Sequence, residues 1–378
     1  MRLRWIVVLA VVVGCEKNAP KLDPDADAEA EAFAKQFAAA ALPCDADKLA
    51  TLIDGDAITT RMEDAAKSKE SKFGAQQFRD PRAIARIVCA WQQGVDGYRM
   101  LHLRTKDGQP RLVMRRLARA PRKAVVIVGY DELMVGKHGK DVKLVDLYSF
   151  AQGDWLSDLL SSGMDAMSEQ GIDGSMDAAS QLKKSRELQK DGKFAEALAT
   201  IDALPKEVHN SRMVQMARLR VADQLSEDAY KQALDELAKL FPNDPSVALV
   251  DVDGAFLRGD FTGALKDIDT IDAAVGGDPF QDAIRAEVLL KRNAPGDQDK
   301  AADTAERAIK TEPTLAKGWW SRLDVAVRRK QYPLAVETMT HLQQSFGAKL
   351  DDAALHTLPE YAEFLESPEY AAWRSAAK

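Results

Sequence analysis

The chain has 378 residues, 46% of them apolar and 29% charged, with a net charge of −7. At about 150 residues per domain this length points to two or three domains, and the composition excludes wholesale disorder, a collagen and a polytopic membrane protein. The acidic balance argues against a general nucleic-acid binder, which carries a basic excess to neutralise phosphates. Three cysteines are too few for a disulfide scaffold or a four-cysteine zinc site, and the odd number leaves one of them with a different task.

The N-terminus carries Arg2 and Arg4, then nine apolar residues from Trp5 to Val13, then Gly14 and Cys15. Positive charge followed by a short apolar run is the layout of a signal peptide. Nine residues rise about 14 Å as a helix, short of a bilayer core of about 30 Å, so the run does not span a membrane. Val12-Val13-Gly14-Cys15 resembles the lipobox of bacterial lipoproteins. The resemblance implies a signal peptide over residues 1–14, cleavage before Cys15, and Cys15 as the lipid attachment site. Two or three acyl chains anchor a protein stably where one does not. The mature chain is therefore expected in the bacterial envelope, on a membrane surface. Glu16, where an aspartate would resemble an inner-membrane retention signal, favours the outer membrane facing the periplasm. Residues 15–28 contain two prolines, several acids and few apolar side chains, and read as an acidic tether.

Residues 29–165 read as an α+β domain. Helices are predicted over Glu29–Leu42, Lys48–Ile53, Ala57–Lys67 and Pro81–Gln92, from apolar positions such as Phe33, Phe37 and Ala41 falling on one face. The period then shortens to two. Strands are predicted over Tyr98–Thr105, Arg111–Ala118, Lys123–Glu132 and Val142–Phe150, with turns at Asp107-Gly108, Pro121 and Gly136–Gly139. Short connections imply a four-stranded antiparallel meander. A closing helix follows from Asp154. The layout loosely resembles the cystatin-like cone, a sheet curved around a helix.

Two features of this domain invite explanation. Cys44 and Cys89 fall together in it, and in an oxidising compartment they are expected to pair, closing a loop of about 45 residues; two buried free thiols are the alternative. Arg99 to Lys123 carries nine basic residues and one acid, Asp107. One reading of that hairpin is contact with an anionic partner surface; the other is a solvated sheet face whose charged edge resists strand addition.

Residues 175–345 repeat. Ala197, Ala233, Ala264, Ala301 and Ala335 recur at intervals of 36, 31, 37 and 34 residues. Phe194, Tyr230, Phe261 and Tyr332 stand three residues before four of them, and Gly192 and Gly259 precede two of those aromatics. Together with Trp319 this pattern resembles the tetratricopeptide repeat, two antiparallel helices per unit of about 34 residues. That resemblance implies an all-α solenoid of about five units that holds protein partners on the side lined by each first helix. Asp253, Phe256, Trp320, Asp324 and Arg328 are expected to face that groove. Residues 346–378 read as capping helices, with Leu358, Tyr361, Phe364, Leu365, Tyr370 and Trp373 covering the open end.

Catalytic signatures are missing from the sequence. None of the five histidines, His102, His138, His209, His341 and His356, is paired at zinc-ligand spacing. No phosphate-binding glycine loop, nucleophile elbow or dinucleotide fingerprint appears. Asp131, Glu132, Asp146 and Asp154 are the carboxylates from which acid–base chemistry would be built. The expectation is a non-catalytic envelope lipoprotein without cofactor or metal, acting as a protein-interaction scaffold. The alternative is ligand binding or catalysis inside the α+β domain with the repeats as recruiter. A sheet interior filled by aliphatic side chains would favour the scaffold, and a polar pocket there would favour the alternative.

Overall fold

The computed structural model describes residues 24–119, 126–169, 171–350 and 352–376. Cys15, the leader, most of the tether, Pro121, Arg122 and Lys123 lie outside them. The first folded layer is helical: α1 (Pro24–Ala41), α2 (Ala46–Thr51), α3 (Gly55–Ala65), α4 (Lys69–Ala75) and α5 (Pro81–Trp91). α1 starts inside the stretch expected as tether, and α4 was not foreseen. The starts of the other four have a common cause. Asp45, Asp54, Ser68 and Asp80 each place a side-chain oxygen on a backbone N–H of the following helix, which satisfies a donor the helix itself cannot.

The chain then forms β1 (Val95–Lys106), β2 (Gln109–Arg119), β3 (Val126–His138), β4 (Asp141–Ser149) and a short β5 (Asp154–Trp155). They pair antiparallel in chain order. Asp107 and Gly108 both sit at positive φ, 54° and 74°, the backbone a two-residue type I′ hairpin demands. The expected loop at Gly136–Gly139 is corrected: β3 continues to His138 and pairs with Asp141, leaving only Gly139-Lys140 to turn. β4 takes a further partner at its far edge, where Asp54 N donates to Leu144 O at 2.9 Å and Leu144 N donates to Leu52 O at 2.8 Å.

Alternation gives the sheet two buried faces. Leu112, Met114, Leu133, Val135, Leu144 and Leu147 turn inward and pack with Phe33, Phe37, Ile58, Met62, Ile84 and Val88 of the helices. Val113, Tyr130 and Phe150 turn outward into a second core. α6 (Leu156–Glu169) closes the domain; its Asp165 carboxylate accepts from the amides of Lys67 and Ser68 at 3.1 and 3.2 Å. The Cys44–Cys89 disulfide joins the turn after α1 to the last turn of α5, with Cα atoms 5.0 Å apart.

Helical hairpins make up the rest. They are α7 (Gly171–Lys190) with α8 (Phe194–Asp202), then α9 (Lys206–His209) as a connector, α10 (Arg212–Leu225) with α11 (Glu227–Leu240), α12 (Pro245–Arg258) with α13 (Phe261–Val275), α14 (Pro279–Arg292) with α15 (Asp297–Thr311), and α16 (Ala316–Arg328) with α17 (Tyr332–Phe346). The five recurring alanines are each at most 1% exposed. A methyl there lets paired helices approach closely, which is why the position recurs. Gly192, Gly259 and Lys330 hold the same turn position at φ 75°, 71° and 55°. The second hairpin dispenses with a glycine: Ser226 alone separates α10 from α11 and caps α11 by accepting from Ala229 N.

α18 (Asp352–Leu355), α19 (Ala362–Leu365) and α20 (Pro368–Ala376) close the end. Tyr361, Phe364 and Tyr370 are buried against Leu323, Met339 and Leu342. Leu358 departs from the expected cap, being 39% exposed. The chain is thus an α+β domain followed by an all-α solenoid of two-helix repeats.

Candidate functional site

The outward face of the sheet does not meet solvent. It docks on one edge of the solenoid, formed by the starts of α12 and α14 and the ends of α13 and α15. Asp278 is the centre of this junction. As N-cap of α14 it accepts from Phe280 N at 3.0 Å. The same carboxylate takes Arg115 of β2 at 2.6 Å and the Tyr130 hydroxyl of β3 at 2.6 Å. Gln281 donates to Tyr130 Oη at 3.0 Å. At the end of α15, Glu312 accepts from Arg115 at 2.7 Å and Arg99 at 2.8 Å. Arg104 donates to the carbonyl of Ala274 at 2.7 Å.

This junction is charged yet dry. The Arg115 and Asp278 side chains are 2% and 0% exposed. Burial works against the charge on Arg115, but Glu312 and Asp278 hold its pKa above the ordinary value. Burial and the neighbouring Asp278 push the Tyr130 phenol well up, so it remains a neutral donor. A buried ion pair depends on further hydrogen bonds to offset desolvation; here Glu312, Tyr130 and the Phe280 amide supply them, while Arg115 Nε and Gln281 Oε1 are buried without a hydrogen-bond partner.

The expectation of an anionic surface contact through residues 99–123 is corrected for Arg99, Arg104, Arg111, Arg115 and Arg116, which pair within the chain; Arg122, Lys123 and the Arg119 side chain lie outside what the structure describes. Arg99 and Arg115 find Glu312 and Asp278. Arg104 and Arg111 share Glu132 at 3.0 and 3.4 Å, and Arg116 lies 3.3 Å from Asp131. Alternation on β1 and β2 turns Arg115 outward and Arg116 inward, so each meets a different buried carboxylate. For these five arginines the anions are in the same chain.

The carboxylates considered for chemistry each have partners within the chain. Asp131 accepts from Tyr98 at 2.9 Å and Gln92 at 3.3 Å. Asp146 takes Arg61 at 2.7 Å and Ser157 at 2.6 Å. Asp154 accepts from Trp155 N at 2.9 Å. The inner face of the sheet is filled by leucine, valine and methionine, apart from the buried Tyr98–Asp131–Arg116 group. A broad groove of about 1110 Å³ lies at the rim instead, between α1, α2 and the β3–β4 turn. Among the described residues, no group of three or more His, Cys, Asp and Glu could hold a metal ion. No described helix is long and apolar enough to cross a membrane.

The five expected groove residues divide into two sets. Asp253 is exposed on α12, and Phe256 stacks edge-on against Phe261 at 5.5 Å. The other three do not face an open groove, because the C-terminal cap lies on them. Trp320 packs against the cap's aromatic cluster. Asp324 accepts from the Tyr361 hydroxyl, and Arg328 lies 3.7 Å from Glu360, which also takes Lys291 at 3.1 Å. The last repeat has no successor to cover its face, so the terminal segment does it. Sequence reading missed Leu225 and Leu257, which are 40% and 47% exposed at the ends of the first helices of successive repeats. Their signal was an apolar residue out of phase with the buried stripe.

Burial pushes the Asp324 carboxyl up to about 6. An acid whose pKa is raised on folding favours the folded state at low pH. That advantage is complete below the unfolded value near 3.8 and is lost as pH rises through about 6. Asp324→Asn is expected to flatten the pH dependence of cap unfolding between those limits. Thermal melts from pH 4 to pH 7 on both proteins check it; parallel curves would refute it.

Fold and site define a class: an α+β sheet domain locked by buried ion pairs onto the edge of a tetratricopeptide-like helical solenoid. No protein-family model matches the chain, and no curated protein matches it. Among solved structures, a MamA double mutant (RS-1 ArsTM) is 16% identical, covering 45% of this chain and 94% of its own, with a TM-score of 0.40. MamA from residue 41 to its end, from Desulfovibrio magneticus RS-1, is 16% identical over 46% and 98%, with a TM-score of 0.39. PilW, described as a widely conserved type IV pilus biogenesis factor, is 13% identical over 53% and 91%, with a TM-score of 0.39.

Proposed function

We propose that the chain is a lipid-anchored envelope scaffold that presents one face of its solenoid to a protein partner. In this reading it is non-catalytic, and its mechanism is display. The lipid on Cys15 fixes location, the α+β domain stands next to the membrane, and the solenoid supplies recognition. The observation that carries it is the junction at Asp278. By fixing the solenoid's loop edge to the sheet, it leaves the first-helix face of the leading repeats as the surface offered outward. The cap already covers the corresponding face of the last repeat.

The partner-facing residues are then Leu225, Asp253, Phe256 and Leu257, three apolar side chains and one acid, suited to the apolar face of an amphipathic helix. In-cell crosslinking of the anchored protein tests this. A partner band is expected with the native chain and is expected to be lost with Leu225→Glu/Leu257→Glu, which alters exposed positions only. A band that survives the double substitution would sink the assignment of the face. Anchoring is tested separately. Cys15→Ser is expected to move the protein from the membrane fraction to the soluble one, and retention after high-salt washing would contradict the lipid mechanism.

A further inference from the structure

A groove lies along the second helices of the third and fourth repeats, away from both the sheet junction and the first-helix face. α13 contributes Thr262, Leu265, Lys266 and Asp269, α14 contributes Arg285, Leu289 and Arg292, and α15 contributes Lys300, Thr304 and Arg307. Apart from the adjacent Leu265 and Lys266, these positions are spaced three, four or seven apart within each helix. Three helices thus turn one stripe each into the same cleft. It is an open groove of about 610 Å³. Leu265 and Leu289, 8% and 4% exposed, form its floor. Five cations and two hydroxyls surround that floor, with Asp269 as the one lining carboxylate.

The arginines are held in place. Arg285 is bound by Asp269 and Asp272 at 2.6 Å each, Arg292 by both oxygens of Asp297 at 2.8 and 2.7 Å, and Arg307 through Nε by Asp282 at 2.8 Å. Asp272, Asp282 and Asp297 do not line the cleft and are 26%, 15% and 1% exposed. They grip the guanidiniums from behind. A guanidinium has five N–H donors and these contacts use two, so donors are left for a ligand. Lys266 and Lys300 are exposed and form no ion pair among the described residues. Five cations and one carboxylate line the cleft; Asp272, Asp282 and Asp297 lie behind the arginines, and Asp267 and Asp303 sit within electrostatic reach of Lys266 and Arg307.

We propose that this groove binds phosphate esters, and that its ligand carries two or more phosphate groups. A planar carboxylate satisfies one arginine fork, whereas the tetrahedral oxygens of phosphate can accept from donors arriving from three helices at once. The hydroxyl of Thr262 adds a neutral donor, while that of Thr304 is spent on the Lys300 carbonyl at 2.6 Å. The cleft is too large for one phosphate and matches the size of a small-molecule site. Its leucine floor suits the carbon skeleton between phosphates. Such chemistry belongs equally to a lipid head group and to a soluble phosphorylated metabolite. Pre-held arginines lose little freedom on binding, which favours affinity.

The test uses the full chain carrying Cys15→Ser, so it does not depend on the anchor. Calorimetry with inorganic pyrophosphate, and flotation with phosphatidylcholine vesicles with or without cardiolipin, whose head group carries two phosphates, give the two arms. Saturable, salt-sensitive binding is expected in at least one arm. Pyrophosphate alone would identify a soluble ligand, and anionic vesicles alone a lipid head group. Lys266→Glu/Lys300→Glu is expected to weaken that binding by about tenfold or more, since it reverses two unpaired charges. An unchanged far-ultraviolet circular dichroism melt would show that the double variant still folds. Failure to bind in both arms, binding indifferent to the reversal, or equally tight binding of polyglutamate would each overturn the proposal.

Discussion

Asp278→Ala is expected to separate the sheet from the solenoid. The wild-type carboxylate is fully buried and makes three bonds, to Phe280 N, Arg115 and Tyr130. Loss of an N-cap costs about 1 kcal/mol. The larger effect comes from Arg115, which would be left in the interior beside Glu312 alone. Breaking a buried pair by removing one partner costs about 3–5 kcal/mol. Since most of that energy is interdomain, unfolding in urea is expected to change from a single transition to two. Hydrogen exchange is expected to rise first at the start of α14 and along β2 and β3. Asp278→Asn divides the terms, because asparagine still caps a helix but carries no charge; it is expected to lie between wild type and Asp278→Ala. Arg115→Met combined with Asp278→Asn removes both charges and is expected to recover part of the loss. If Asp278→Ala unfolds at the wild-type midpoint in one transition, the junction does not hold the two parts together.

The junction also marks the limit of what the sequence discloses. Local rules were enough for the sheet, because Asp107-Gly108 and the two-residue alternation of β2 and β3 are short-range signals. They were enough for the solenoid too, where buried alanines recur at the repeat length. The partner of Arg115 could not be read, because Asp278 lies 163 positions away and looks like an ordinary helix cap before Pro279. The nine bases of the hairpin were visible as a cluster of charge, but their alternation between inward Arg116 and outward Arg115 acquires meaning only when two sources of acid are placed on opposite faces. Trp320 and Asp324 failed as groove residues for a similar reason. Their helix phase was read correctly, but the segment around Tyr361 folds back over them, and no periodicity encodes that return. The phosphate-ester groove was likewise hidden, its five cations being spread over three helices and diluted by the acids that position them.

Replacing both cysteines of the α+β domain is expected to be the second large effect. The Cys44–Cys89 bond closes a loop across 45 positions. Loop entropy assigns such a bond about 4 kcal/mol, most of it from restricting the unfolded chain. It also fastens the turn after α1, which carries Phe37, to α5, which carries Ile84 and Val88, so the helical layer that covers the inner sheet face depends on it. Cys44→Ala/Cys89→Ala is therefore expected to lower the unfolding free energy of this domain by about 4 kcal/mol. The exact replacement at position 44 matters. Cys44 sits at φ 56°, in the left-handed region, where a side chain costs about 1 kcal/mol that glycine does not incur. Cys44→Gly/Cys89→Ala is expected to be the more stable of the two double variants, since the open turn no longer has to hold a β-carbon in that conformation. Urea titration followed by tryptophan fluorescence measures both, and a thiol count on the denatured, unreduced Cys15→Ser chain gives the reference. Zero free thiols are expected; two would mean that the bond does not form and that neither stability difference has this origin.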